Sequence, residues 1–260
     1  MTRVLLMAAG AGSRFGGDVP KPFIDVNGLP MWHYVAKKMG MVRAADGGPF
    51  VVSLIVRSDH QGMISATDLQ GYSPVVDNIK FIRPMIEQGP AWSVIGATLD
   101  MTTEEDIYVV DSDCYVEDPR KLSDKHRISH FKQMESMRPR LNIDAVAFAH
   151  VAFHADPSAM GALFSSGDEP LIASSPGVKT GQLANTGTYW FRSVRQFRSA
   201  VSQMPFYADN SKELKLADVF NHFRRREFQR VAGVFHNLGT PEHLTNYMKD
   251  RVYGPTEPTV

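Results

Sequence analysis

The sequence predicts a single-domain α/β fold, three layers deep, with a mainly parallel central sheet. Three observations lead there. Short apolar runs of strand length alternate through the first half with segments of helical spacing. The first run, Val4-Leu5-Leu6-Met7-Ala8, is apolar throughout, as a strand buried on both faces must be, and passes straight into Gly10-Ala11-Gly12. A second apolar run, 107–110, ends in Asp111-Ser112-Asp113, polar residues at the carboxyl end of a buried strand, where open α/β sheets hold their ligands.

After the strand at 4–8, helical spacing covers 31–41, a strand 50–56, a polar helical stretch begins after Gln61, and a short strand covers 79–82. Ala91, Val94, Ile95, Thr98 and Leu99 fall at i, i+3, i+4, i+7 and i+8, one face of a helix that leads into strand 107–110. Repeated βαβ units of this kind build a parallel sheet covered on both faces. Further on, the pattern predicts a charged helix around 121–137, a strand at 144–149, a loop-rich stretch at 165–181 and an ordered segment at 184–191. Helices at 193–203 and 214–226, a strand at 228–234 and a last helix from Pro241 complete a domain over 1–254. Residues 255–260, Pro-Thr-Glu-Pro-Thr-Val, read as a flexible tail.

Composition removes several functional classes. Lys and Arg (28) balance Asp and Glu (28), so no global field draws the chain to nucleic acid or to an anionic membrane. No apolar stretch reaches the roughly 18 residues of a membrane span, and the short run after Arg3 is not a secretory signal. The one cysteine, Cys114, excludes an internal disulfide framework and a cysteine-rich zinc site, and points to a reducing, cytoplasmic setting. Homo-oligomerisation is compatible with the sequence, which identifies no face for it. The run Arg224-Arg225-Arg226 reads as a solvated helix end complementing the helix dipole.

A strand followed by Gly10-x-Gly12-x-Arg14 brings backbone N–H groups close to a phosphate. The dinucleotide fingerprint fails, because Phe15 stands where its third glycine belongs, and the Gly-Lys-Ser/Thr of a P-loop is absent. Asp111 and Asp113 lie on one side of an extended backbone, with Ser112 facing away. Hard carboxylate oxygens in that setting suit Mg²⁺ shared with substrate phosphates.

The longer string Leu6-Met7-Ala8-Ala9-Gly10-Ala11-Gly12-Ser13-Arg14-Phe15, then Pro20-Lys21-Pro22 and Asp25-Val26-Asn27-Gly28-Leu29-Pro30-Met31, closely resembles the signature of the sugar-phosphate nucleotidyltransferases. The resemblance implies their Rossmann-like fold, and an Mg²⁺-dependent transfer of a nucleoside monophosphate from an NTP to a sugar 1-phosphate or similar phosphomonoester, with release of pyrophosphate. It assigns Ala8, Ala9, Gly10, Ala11, Gly12 and Ser13 to the nucleotide, Arg14 to its triphosphate and Lys21 to the reacting phosphates. Gln88 and Gly89, in Glu87-Gln88-Gly89-Pro90, match the segment that recognises the base. Asn185, Thr186 and Gly187, in Asn185-Thr186-Gly187-Thr188-Tyr189, match the acceptor side, to which Lys179 belongs. Glu213 with Leu216-Ala217-Asp218-Val219, and Leu238-Gly239-Thr240-Pro241-Glu242, match later landmarks, so the resemblance spans most of the chain. Asp113 is the implied first metal ligand and Asp111 the second choice. Two positions depart from the pattern: Asn237 stands where many members carry a second metal-binding aspartate, and Val178 where a glutamate precedes the lysine. A nucleotide-sugar glycosyltransferase and a non-catalytic nucleotide-sugar-binding subunit are the competing readings. The first shares the sheet and the Asp-x-Asp, and the two departures favour the second.

Overall fold

The computed structural model describes residues 2–10, 12–16, 18–41, 50–64, 76–83, 89–117, 130–136, 142–151, 162–166, 169–172, 179, 181–204 and 213–253. The tail at 255–260 therefore lies outside the described residues, as do Ala11, Gln88 and Val178. The element order is β1 (Thr2–Ala8), β2 (Asp25–Val26), β3 (Leu29–Pro30), α1 (Met31–Met39), β4 (Phe50–Arg57), β5 (Asn78–Ile82), α2 (Pro90–Ala97), β6 (Ile107–Asp111), β7 (Cys114–Glu117), α3 (His130–Ser136), β8 (Ala145–Val151), β9 (Ala162–Ser166), β10 (Glu169–Ile172), β11 (Leu183–Phe191), α4 (Val194–Gln203), α5 (Leu216–His222), β12 (Arg226–Arg230), β13 (Val234–Asn237) and α6 (Pro241–Tyr253).

A nine-stranded sheet is the spine, ordered β10-β9-β11-β6-β1-β4-β5, with β8 paired to β11 and to β12. Its first-half block, β6-β1-β4-β5, is parallel throughout. From β11 onward the neighbours are antiparallel, except that β12 runs parallel to β8. The change of direction comes from the connections, because β9 and β10 form a short hairpin and need no crossover helix. The stretch expected as loop at 165–181 contains part of that hairpin. Its strands are short and lack strict alternation, which is why the pattern conceals them. The sequence also merges β12 and β13 into one strand, whereas Val231–Gly233 separates them and sends β13 to pair with β7.

Alternation along β1 divides the core. Val4, Leu6 and Ala8 face Met31, Trp32, Val35 and Met39 of α1, together with Met134, Leu238 and Tyr247. Leu5 and Met7 face Ala91, Val94 and Ala97 of α2, with Phe197 of α4 and Phe220 of α5 on the same side. Helices therefore cover both faces, giving the three layers, and each wholly buried leucine contributes about 1.5–3 kcal/mol.

Arg224 and Arg225 are exposed as expected, but the run lies beyond the helix and Arg226 is buried. Helix α5 stops at His222; Arg225 forks onto Asp144 with contacts of 2.7 and 2.9 Å, and Arg226, buried, donates to the carbonyls of Pro170 and Phe223. Asp144 also receives Arg192 at 3.4 Å, so the run anchors β12 beside β8. At the sheet's β10 edge, the Asn221 side chain accepts from Ile172 N–H and donates to Ile172 C=O, as a neighbouring strand would.

Helix α6 is pinned from within. The Tyr247 hydroxyl lies 2.6 Å from those of both Tyr34 (α1) and Tyr115 (β7). Replacing Tyr247 with Phe leaves two buried hydroxyls without their shared partner. We expect a loss of about 2–3 kcal/mol of unfolding free energy by urea titration, and an unchanged midpoint would show that the three hydroxyls do not stabilise the fold.

His130 is fully buried, its Nδ1 accepting from Val116 N–H at 3.3 Å, and burial drives its pKa down to about 3. The native state thus refuses a proton that the unfolded chain takes up near pH 6.5. Stability is complete above that pH and declines as pH falls towards 3, by roughly 2 kcal/mol at pH 5. The urea midpoint of His130→Phe, measured from pH 7 to 5, should lack this component of the decline.

Candidate active site

The site begins where β1 ends. Met7 lies opposite Asp111 in the parallel register, so the glycine loop after β1 and the aspartates after β6 emerge side by side at the carboxyl edge. Ser112 holds them together: its hydroxyl donates to Met7 C=O at 2.7 Å and its side chain is buried, but residues 112 and 113 form a turn between β6 and β7 and not the extended backbone expected. Asp111, Asp113 and Cys114 bring potential ligand atoms within 4.8 Å of one another.

The Gly12-to-Lys21 contact sets the lysine. Gly12 has φ +68°, and a Cβ there would stand 2.5 Å from Lys21 Cβ and 2.7 Å from Lys21 N. Only glycine lets the Ser13–Phe15 turn fold against the Lys21–Phe23 turn. From that position Lys21 Nζ donates directly to Asp113 Oδ2, with both side chains about one-fifth exposed.

The chain's closing segment completes the group. β13 pairs antiparallel with β7, placing Asn237 opposite Cys114, and Leu238 N–H donates to Asp113 C=O at 2.7 Å. Asn237 Oδ1 accepts from Gly239 N–H at 2.8 Å. A Cβ on Gly239 would lie 2.9 Å from Asn237 Oδ1, 2.9 Å from Asp113 Oδ2 and 3.5 Å from Lys21 Nζ. The carboxylate and amide oxygens that converge there are hard donors of the kind a divalent cation such as Mg²⁺ takes, with Asp113, Asp111 and Asn237 as the candidate ligands. The surrounding protein and the Asp113 charge raise the pKa of Asp111, with Lys21 opposing. Burial and the two aspartates push the Cys114 thiol pKa up, and the thiol donates to Thr186 C=O at 3.2 Å.

The other expected residues divide between loop and core. Ala8 is wholly buried in the core, so the loop offers a ligand its surface only from Ala9 onward. Gly10 is exposed with open space around it, and Arg14 stands exposed in the turn after Gly12. Gly89 precedes α2 and packs so closely on Glu213 and Leu214 that a Cβ would meet Leu214 N at 2.7 Å. Asn185 and Thr186 are buried, and their side chains hold a bulge in β11. Asn185 donates to the Tyr189 hydroxyl and accepts from Gly187 N–H at 3.1 Å, and Thr186 donates to Phe148 C=O at 3.0 Å. Gly187 takes φ +69° in that bulge, and Lys179 is exposed.

Sequence reasoning missed a charged cluster on the same edge. Arg57, the last residue of β4, is buried and forks onto Asp59, and Asp59 Oδ1 lies 3.9 Å from His60 Nε2. The His60 ring meets Phe23 edge-on at 6.0 Å, joining the cluster to the lysine turn. The available signal was an arginine closing a mainly apolar strand, the pattern that drew attention to Asp111.

No protein-family model matches the sequence, and no curated protein matches it. Solved structures do. A Bacillus anthracis protein assigned as a glucose-1-phosphate thymidylyltransferase, solved with sucrose, is 17% identical with TM-score 0.71 over 98% of this chain and 96% of its own. The inositol-1-phosphate CTP transferase of T. maritima is 14% identical with TM-score 0.68, covering 100% and 98%. The UTP-bound UGPase of Acinetobacter baumannii is 18% identical with TM-score 0.69, covering 100% and 95%. The described residues therefore have the three-layer fold of these nucleotidyltransferases.

Gly12→Ala should displace the lysine turn. Positive φ and the close approach to Lys21 together predict a loss of about 1–3 kcal/mol, read as a lower melting temperature; a melting temperature equal to wild type would show that the two turns are not in contact.

Proposed function

We propose that this protein is an Mg²⁺-dependent nucleotidyltransferase, joining a nucleoside monophosphate from an NTP to a phosphorylated small molecule, with a sugar 1-phosphate as the first choice. The observation that carries this reading is the convergence of Lys21 Nζ, Asp113 Oδ2 and Asn237 Oδ1 around Gly239, beside the open glycine loop. The names of the structural neighbours support the acceptor class, since they speak of glucose 1-phosphate and inositol 1-phosphate.

The chemistry asks little of the protein beyond alignment and charge. A phosphate monoester, with its second pKa near ~6, is largely dianionic at neutral pH and needs no general base. One acceptor oxygen forms a bond to the α-phosphorus, the bond from the α-phosphorus to the bridging oxygen breaks, and that oxygen leaves with its electron pair as part of pyrophosphate. A bound divalent ion supplies further neutralisation of the phosphates. Asp113 and Asp111 would hold it, and Asn237 would contribute a neutral amide oxygen. Lys21 spans the reacting phosphates, Arg14 meets the departing pyrophosphate, and backbone N–H groups from Ala9 to Ser13 receive the remaining oxygens. Gln88 and Gly89 would bound the base. Lys179, with the backbone around Gly187, would face the acceptor. A reducing cytoplasmic setting accords with a lone thiol.

Pyrophosphate release, measured with each common NTP, Mg²⁺ and a panel of sugar 1-phosphates and other phosphomonoesters, tests the reading. Release should require one NTP–acceptor pair. Asp113→Ala and Lys21→Ala should each lower turnover by at least ~10²-fold. Normal turnover in Lys21→Ala would defeat its assignment, and nucleotide-sugar binding without release from any pair would favour the non-catalytic reading.

A further inference from the structure

We infer that Lys21 is the resident counter-cation of the carboxylate pocket: it competes with a divalent ion for Asp113, so the ion enters with the triphosphate rather than before it. The inference rests on the function proposed above. Its basis is that Lys21 Nζ occupies the same small volume as the oxygens that would hold the ion. From the point where a Cβ on Gly239 would stand, Asp113 Oδ2 and Asn237 Oδ1 are each 2.9 Å away and the ammonium 3.5 Å. Lys21 Nζ also donates to Asp113 Oδ2, the same oxygen that faces Gly239.

Charge decides the order. The pocket holds the Asp113 carboxylate with one ammonium bound to it, the Asp111 carboxyl group, and a neutral Asn237 oxygen already accepting from Gly239 N–H. A dication entering alone would meet Lys21 as a like charge at close range, with one carboxylate already engaged. The lysine leaves most readily by swinging its side chain, because its backbone is packed close to Gly12. A triphosphate brings several negative charges to the adjacent loop, draws the ammonium onto its oxygens and frees Asp113 for the ion. The residue needed for catalysis therefore weakens metal binding in the nucleotide-free protein.

Mn²⁺ is the probe, titrated into the nucleotide-free full chain and followed by the electron paramagnetic resonance of the free ion. Lys21→Met and Lys21→Gln, each confirmed folded by circular dichroism, should bind Mn²⁺ roughly tenfold or more tightly than wild type, because a like charge at contact range has gone. Lys21→Arg should stay as weak as wild type, and Asp113→Asn should abolish the binding gained in the lysine variants. Affinity in either folded neutral variant that is no higher than wild type overturns the inference. The two readings fail separately: pyrophosphate release with unchanged Mn²⁺ affinity removes only the competition, whereas tighter Mn²⁺ binding with no release from any NTP–acceptor pair removes only the proposed reaction.

Discussion

The site depends on the parallel pairing of β1 with β6. Met7 opposite Asp111 fixes where the glycine loop stands relative to the aspartates, and the Ser112-to-Met7 hydrogen bond seals that register just past the ladder's end. A slip of one residue would turn the buried Val4-Leu5-Leu6 stretch over and carry Asp111 to the opposite face. The apolar core on both faces of β1 makes such a slip prohibitive. Core packing and site geometry are therefore one constraint, enforced by leucines far from any substrate.

Much of this is legible from residues near one another in sequence. β1, α1, β4, β5, α2 and β6 announce themselves by apolar period and glycine punctuation, and the aspartates stand out as polar residues closing a buried strand. The sequence does not reveal which way strands run when a hairpin replaces a crossover, so the antiparallel half of the sheet, and β9 and β10 in particular, hides in a stretch that reads as loop. Arg226 misleads for a related reason. Charge suggests solvent unless a partner is known, and of its partners, Phe223 and Pro170, the second lies in a segment with no sequential relation to the run. The resemblance names Lys21 and Asp113 separately, but nothing in the sequence shows that they bind each other.

The long reach of the C-terminal segment fixes the neutral residue at position 237. β13 crosses to β7, Leu238 bonds the Asp113 backbone and α6 is tied to α1 and β7 through three tyrosine hydroxyls. His236 adds a contact of 3.2 Å to Glu117 and stacks on Tyr115. Such bracing holds the amide oxygen by covalent and hydrogen-bonded geometry rather than by charge. An aspartate here would repel Asp113; Asn237 places a neutral amide oxygen beside it at no such cost.

The Asn221 side chain that bonds both backbone groups of Ile172 bears on solubility. The hairpin half of the sheet ends in β10, and an outermost strand with free N–H and C=O groups is a template on which a second molecule can polymerise. A single amide from α5 presents the donor and acceptor of a strand that can add nothing further. At Ile172 the growth of the ladder is terminated chemically, within one chain, by a side chain whose helix has already buried Val219 and Phe220 beneath it. The protection thus forms with the core itself, before any encounter between molecules.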